Sequence, residues 1–182
     1  MEIIIPAYNC LETISRTLDS LVEQTNKCFT VLIIDDCSTQ NIYSIIESYK
    51  NKLNIRYLRN NCNIGCGMTR QRGIDETVAD YIAFLDSDDI LLPNAIDIWL
   101  REIENSHPEV LYSRWLGKFG NRILRGAFYP LHMCHGKVYN VDFLKKYNDL
   151  NDLLAGKEVS LPTFNFKAGK REYNGNYKKL GE

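Results

Sequence analysis

The sequence lacks the features that mark membrane-spanning, nucleic-acid-binding and disulfide-stapled proteins. No apolar run approaches the roughly 18–20 residues that cross a bilayer, so we predict no transmembrane segment. The 22 basic and 23 acidic side chains give a net charge of −1, which offers no electrostatic basis for binding nucleic acid. The six cysteines are dispersed through 182 residues, and a chain of this length can bury a core without disulfides. We therefore expect reduced thiols and a cytoplasmic location.

What the sequence does contain is an alternation of short apolar strands and amphipathic helical segments. Strands are predicted at 2–5, 30–34, 55–58 and 82–85, with helical spacing of apolar residues after each of them. Alternation of this kind predicts parallel strands joined by crossover helices. We therefore expect a single α/β domain with a mostly parallel sheet.

Local signals add detail to this pattern. Asn9 and Glu12 have the spacing of a capping box for the first helix. Pro93 suits the first position of the fourth helix. Further along, the pattern predicts a strand at 110–115, a hairpin that turns near Gly120-Asn121 and a short helix at 141–147.

The stretch Asp86-Ser87-Asp88-Asp89 is the most informative in the chain, because it directly follows an apolar strand. Acids in this position lie at the carboxyl edge of a parallel sheet, where open α/β sheets bind ligands. Carboxylates two residues apart can converge on a hard cation such as Mg²⁺ or Mn²⁺. The alternative is a solvated acidic turn before the helix that follows Pro93.

Polar segments also end the other strands. Pro6-Ala7-Tyr8-Asn9 follows the first strand, Asp35-Asp36-Cys37-Ser38 follows the second, and Asn63-Ile64-Gly65 precedes a helix that carries Arg70. In this order and spacing, together with the acidic stretch after the fourth strand, the segments resemble the nucleotide-sugar-binding half of a family 2 glycosyltransferase with the GT-A fold. The resemblance covers residues 1–147 and implies a Rossmann-like sheet flanked by helices.

The resemblance implies a pocket for the nucleotide base, which is usually uracil. Pro6, Ala7 and Tyr8 would line this pocket. Asp36 would accept a hydrogen bond from the base, which suits a fixed carboxylate facing an imide N–H. Gly65 would let the backbone approach the nucleotide closely.

Three further residues carry a binding role and a structural alternative. Glu12 lies near the predicted pocket, but its alternative role is the capping box. Arg70 would lie near the base or the diphosphate, and its alternative is a surface arginine on a helix. His135 would contact a phosphate or an acceptor hydroxyl, and its alternative is a packing or surface residue.

The acidic stretch corresponds to the Asp-x-Asp motif of the family. Asp88 would be the main ligand of a Mn²⁺ or Mg²⁺ ion, and Asp86 would contact the ribose, the ion or its bound water. An ion that bridges both phosphates stabilises the charge that builds on the leaving diphosphate. The resemblance thus implies inverting transfer from a nucleoside-diphosphate sugar, most often a UDP-sugar, to a saccharide or to a lipid-linked or protein-linked acceptor.

The resemblance weakens beyond residue 147. Family members that invert use an acidic general base in the following region, often in a Glu-Asp pair, and this pair is absent. Asp149, Asp152 and Glu158 are the nearest acids. Residues 148–182 form an atypical tail, of which 152–175 resemble a segment of uridine-kinase-like nucleoside kinases, although the chain has no phosphate-binding loop of the kinase type. A fusion, a replaced terminus and coincidence all remain open.

Three functions are consistent with these features. The chain is an active glycosyltransferase with an unexpected base, a donor-binding domain with an incomplete acceptor half, or a scaffold that keeps only the fold. The predicted location is cytoplasmic, including the inner face of the membrane where glycans are assembled.

Overall fold

The computed structural model describes residues 1–113, 115–119, 122–126, 137–145, 166–168 and 171–173. The strands are β1 (Glu2–Ala7), β2 (Thr30–Asp35), β3 (Ile55–Arg59), β4 (Tyr81–Phe84), β5 (Val110–Tyr112), β6 (Trp115–Phe119), β7 (Arg122–Gly126), β8 (Lys137–Asn140), β9 (Phe166–Ala168) and β10 (Arg171–Tyr173). The helices are α1 (Ile14–Val22), α2 (Tyr43–Tyr49), α3 (Cys66–Glu76), α4 (Ala95–Ser106) and α5 (Val141–Lys145). No helix within these ranges combines the length and the apolar character that crossing a membrane requires.

Six strands form one mixed sheet in the order β3-β2-β1-β4-β8-β5. The first four are parallel, whereas β8 runs antiparallel to its neighbours β4 and β5. The predicted mostly parallel α/β sheet is therefore confirmed. Strands β6 and β7 pair separately as predicted for a hairpin, with Phe119 opposite Arg122; the predicted turn at Gly120-Asn121 lies outside the described residues.

Helices cover both faces of the sheet, because alternate residues of the central strands are apolar on each side. Ile3 and Ile5 of β1 belong to the core beneath α1, α2 and α4. Ile4, between them, belongs to the core beneath α3 and α5. A strand buried on both faces reads as a continuous apolar run, which is why residues 3–5 are all isoleucine.

Two predicted helix starts were wrong. Helix α1 begins at Ile14 after the N-cap residue Thr13, so Asn9 and Glu12 do not form a capping box. Asn9 instead has a positive φ of 49° and binds the loop after β2, as described below. Helix α4 begins two residues after Pro93, whose carbonyl accepts a hydrogen bond from the amide of Thr25.

Strand β1 runs past its neighbour β4, and this opens the sheet at its carboxyl edge. It pairs with β2 over six residues but with β4 only as far as Ile4, whose carbonyl accepts the amide of Leu85. Pro6 would face β4 at the next position, where no partner remains, so its missing N–H leaves the ladder intact. Strand order also reverses between β1 and β4, and such a switch point is where α/β sheets bind ligands.

Candidate active site

A cleft of about 470 Å³ lies at this switch point. Four loops at the carboxyl edge form it, together with the first residues of α3. Its lining residues are Pro6, Ala7, Tyr8, Asn9, Cys10, Thr13, Asp36, Asn63, Gly65, Cys66, Thr69, Asp86, Ser87 and Asp88. Seven of the residues predicted from the sequence for donor or metal binding belong to this set. The fold therefore brings together segments that are separated by up to about 80 residues in the chain.

The loop after β1 forms one wall of the cleft and is fixed to the loop after β2. The amide of Asn9 donates to the Ser38 hydroxyl at 2.9 Å, and its side-chain oxygen accepts the amide of Thr39 at 2.9 Å. Tyr8 stands beside this junction with half of its surface exposed. A rigid backbone thus presents a large aromatic side chain to the cleft.

Asp36 is only 3% exposed and organises the opposite wall. Its Oδ1 accepts the side-chain amide of Asn60 at 2.7 Å and the backbone amide of Ile64 at 2.9 Å. Its Oδ2 accepts the amide of Gly65 at 2.9 Å. Gly65 has a φ of 85°, a conformation that glycine adopts without strain. The Asp36 carboxylate therefore shapes the loop that leads into α3.

The neighbouring residue Asp35 is also important for the site, although the sequence pattern assigned it no role. It is completely buried and accepts the amide of Ser38 at 2.8 Å and the hydroxyl of Tyr57 at 2.7 Å, and it pairs with Arg59. Burial alone would raise the pKa of Asp35, but the hydrogen bonds from Ser38 and Tyr57 and the charge of Arg59 outweigh it and lower this pKa. Burial and the bond to Asp35 raise the pKa of Tyr57 to about 12.

The acidic loop after β4 is more open. The Asp86 side chain is 27% exposed, and its Oδ1 accepts a hydrogen bond from Arg70 Nη2 at 2.6 Å. Asp88 is exposed, and its backbone carbonyl accepts Arg16 Nη2 at 2.6 Å. The amide of Asp89 donates to the Asp86 carbonyl at 3.0 Å, which closes a turn around the loop.

The remaining predicted residues differ in how they relate to the cleft. The Arg70 side chain is 15% exposed and reaches Asp86, so it is not the solvated surface arginine considered as its alternative. Glu12 is exposed and is not among the lining residues of the cleft. The predictions for His135 and for the general-base candidates Asp149, Asp152 and Glu158 lie outside the described residues.

Two of the three carboxylates of the acidic loop, those of Asp86 and Asp88, suit a divalent ion that is shared with a ligand. Within the described ranges, no three His, Cys, Asp or Glu side chains cluster tightly enough to hold a metal ion by themselves. Mg²⁺ usually takes one or two protein carboxylates and completes its octahedron with water and substrate phosphates. Asp88 and Asp86, both on the cleft wall, fit this mode of binding.

Comparison with known proteins assigns the chain to a family. The family model described as "Glycosyl transferase family 2" matches residues 2–177. The chain belongs to glycosyltransferase family 2. This match extends through most of the tail, and nothing supports the resemblance of residues 152–175 to nucleoside kinases.

Bacterial proteins named as glycosyltransferases are among the relatives of this chain. The poly(ribitol-phosphate) beta-N-acetylglucosaminyltransferase TarS of Staphylococcus aureus is 30% identical over 129 residues, which are 69% of this chain and 22% of TarS. The UDP-Glc:alpha-D-GlcNAc-diphosphoundecaprenol beta-1,3-glucosyltransferase WfaP of Escherichia coli is 35% identical over 115 residues, which are 63% of this chain and 45% of WfaP. This chain thus spans less than half the length of these two relatives.

The solved structure of one of these relatives, TarS, has the same fold. The crystal structure of S. aureus TarS residues 1–349 in complex with UDP superposes with a TM-score of 0.69 and 26% sequence identity. The match covers 80% of this chain and 48% of the TarS chain. The predicted GT-A, Rossmann-like fold is confirmed.

Proposed function

We propose that this chain binds a UDP-sugar in the cleft with Mn²⁺ or Mg²⁺ and transfers the sugar, with inversion, to a saccharide or to a lipid-linked or protein-linked acceptor. The observation that carries the proposal is the convergence of Asp36, Gly65, Asp86 and Asp88 on one cleft at the switch point of the sheet. TarS has been crystallised with UDP and with UDP-GlcNAc, and the name of WfaP specifies a UDP-glucose donor and a lipid-linked acceptor.

The base would lie between the loop after β1 and the loop held by Asp36. Tyr8 offers an exposed aromatic surface there, beside Pro6 and Ala7. Among the described residues, Asp36 Oδ2 accepts one hydrogen bond, from Gly65. A carboxylate oxygen has two lone pairs, so a second acceptor position remains for the imide N–H of uracil.

The diphosphate would extend from the base pocket towards the acidic loop. A bound divalent ion would stabilise the negative charge that develops on the departing diphosphate. Asp88, exposed on the cleft wall, would hold this ion. Arg70 orients Asp86, which would contact the ribose, the ion or its water.

Calorimetric titration of UDP with and without Mn²⁺ tests this proposal. Asp88→Asn should lose about tenfold or more of the Mn²⁺-dependent affinity, because the amide oxygen is a weaker ligand than a carboxylate. Asp80→Asn is the matched control, since this exposed aspartate lies immediately before β4 at the opposite end of the strand. It should leave the affinity unchanged.

Two results would contradict the proposal in different ways. Absence of UDP binding to the wild-type chain under both conditions would exclude a donor site. Equal binding to the wild-type chain and Asp88→Asn, with no effect of Mn²⁺, would keep the donor site but remove the metal assignment.

A donor-binding domain that transfers little is the second candidate function. Among the described residues, the acids that line the cleft are Asp36, Asp86 and Asp88, and all three are assigned to the donor. Metal-dependent UDP binding combined with slow hydrolysis of a UDP-sugar, and no transfer to added acceptors, would support this function.

Location at the cytoplasmic face of a membrane stays a prediction.

A further inference from the structure

The segment that joins the acidic loop to α4 is held by one polar stripe on and after α1. This stripe consists of Arg16, Ser20 and Gln24, which are spaced four residues apart. Side chains at this spacing lie on the same side of a helix. All three hydrogen-bond to the backbone of residues 88–96.

The contacts follow the same order along the stripe and along the backbone of residues 88–96. Arg16 donates to the carbonyl of Asp88 at 2.6 Å, and the Ser20 hydroxyl accepts the amide of Leu91 at 3.1 Å. Gln24 donates to the carbonyl of Leu92 at 2.9 Å and accepts the amide of Ile96 at 3.2 Å. Because every contact is made to backbone atoms, the stripe specifies the path of the segment and not its side chains.

The segment has few other supports outside the stripe: the Pro93 carbonyl accepts the Thr25 amide at 2.8 Å, and Leu91 packs against the core. It has no regular secondary structure between β4 and α4. Its side chains Ile90 and Leu92 are each 55% exposed, so burial of their apolar surface contributes little. Ser20 and Gln24, in contrast, are 7% and 2% exposed, and buried polar side chains of this kind are costly unless they are paired. The stripe therefore holds the segment through two buried side chains, Ser20 and Gln24, and one exposed side chain, Arg16.

We propose that Arg16, Ser20 and Gln24 are positioning residues that fix the backbone of Asp88 for metal-dependent donor binding. This inference rests on the proposed function of Asp88 as a ligand of the ion. Arg16 is the member of the stripe that contacts Asp88 directly, because its guanidinium donates a hydrogen bond to the Asp88 carbonyl. It acts through Asp88 and makes no contact with the donor in this proposal.

Arg16→Met removes the guanidinium but keeps much of its apolar stem, and its exposed site lets the variant fold. We expect hydrogen exchange of the amides at 88–92 to accelerate by about three- to tenfold in the metal-free, nucleotide-free chain. This factor is the one expected for the loss of one charge-assisted hydrogen bond at a partly solvated site. The affinity for UDP in the presence of Mn²⁺ should fall by about the same factor. Affinity for UDP without Mn²⁺ should not change.

Three further variants separate positioning from general stability. Arg16→Lys retains a cationic donor and should restore most of the metal-dependent affinity. Ser20→Ala removes the acceptor for the Leu91 amide and should accelerate its exchange. Arg101→Met, on the exposed side of α4 where it pairs with Asp97, should change neither measurement.

The outcomes also distinguish this inference from the proposed function. Unchanged exchange at 88–92 in Arg16→Met would overturn the positioning role, whatever the chain binds. Faster exchange with unchanged Mn²⁺-dependent affinity would overturn the link to donor binding. If the wild-type chain binds no UDP, the proposed function fails, and the exchange data alone decide whether the stripe holds the loop.

Discussion

Two acidic turns lie at the same edge of the sheet and differ in the burial of their carboxylates and in the hydrogen bonds that these accept. In the turn after β2, Asp35 and Asp36 are 0% and 3% exposed, and both carboxylates accept several hydrogen bonds from the protein. In the turn after β4, the Asp86 side chain is 27% exposed and Asp88 is exposed. Similar acidic sequences at equivalent strand ends therefore differ in burial: the first turn is enclosed by the protein, whereas the second pairs Asp86 with Arg70 and leaves Asp88 exposed at the cleft.

The difference indicates a division of labour within the site. A buried carboxylate is stable only when hydrogen bonds or charges compensate it, and the donors to Asp35 and Asp36 come from the loop after β2, from β3 and from the loop that follows β3. An exposed carboxylate keeps its hydration and can exchange water for a cation. The first turn therefore builds the cleft, and the second, in our proposal, binds the ion.

Replacing Asp35 should have the largest effect on stability. Asp35→Asn removes the charge that pairs with Arg59 and places an amide group against donors, so the free energy of unfolding should fall by about 2–4 kcal/mol. Arg59 is partly exposed, which keeps the loss at the lower end for a buried ion pair. Urea denaturation of the variant and the wild-type chain measures this change.

The effect of Asp35 should also depend on pH. The pKa of this carboxyl is lowered in the folded chain, so its contribution is present above the ordinary aspartate pKa of about 4 and is lost as the pH falls towards the folded value. The stability difference between the wild type and Asp35→Asn should be constant above about pH 5 and shrink in more acidic solution. A difference that grows on acidification would contradict the assigned hydrogen bonds and ion pair.

Replacing Asp36 should have a smaller effect on stability and a distinct effect on binding. Asp36→Asn keeps one acceptor oxygen for the amides of Ile64 and Gly65, so we expect a loss of about 1–2 kcal/mol in the free energy of unfolding. UDP affinity should fall both with and without Mn²⁺, because the base pocket changes and the acidic loop does not. If only the Mn²⁺-dependent affinity fell, Asp36 would behave like Asp88, and this result would contradict the proposed difference between the two turns.

The turn after β2 also holds a cysteine in a strained conformation. Cys37 has a φ of 61°, which costs an L-residue with a Cβ about 1–2 kcal/mol. Cys37→Gly should therefore stabilise the chain by about 0.5–1 kcal/mol, after the extra chain entropy of glycine is subtracted. Cys62→Gly, in an exposed loop without positive φ, is the control and should not stabilise the chain. Thermal unfolding of both variants is the measurement, and equal changes would argue against strain at Cys37.

The smallest effect on stability is expected at Asp88. Its carboxylate is exposed, so Asp88→Asn should change the free energy of unfolding by less than about 0.5 kcal/mol. The same variant should lose metal-dependent UDP binding. A large loss of stability would show that Asp88 is structural like Asp35, and the contrast between the turns would disappear.

Much of the fold and part of the site could be predicted because they depend on local patterns. Periodicity located the four parallel strands to within two residues, and strand ends located the acidic turns. Helix starts were less predictable. Asn9 has a side chain suited to a helix cap, but it binds Thr39, which lies 30 residues away. No local rule favours one of these partners over the other.

The sequence alone determined the alternation of elements, the apolar faces of the sheet and the arrival of acids at its carboxyl edge, since each follows from the spacing of neighbouring residues. Only the tertiary structure decided that Asp35 is buried while Asp88 is exposed, and that Arg16 reaches the Asp88 carbonyl from 72 residues away. The physical reason is that burial and hydrogen-bond partners depend on which elements pack together. Packing brings distant residues into contact, and local spacing carries no record of those contacts.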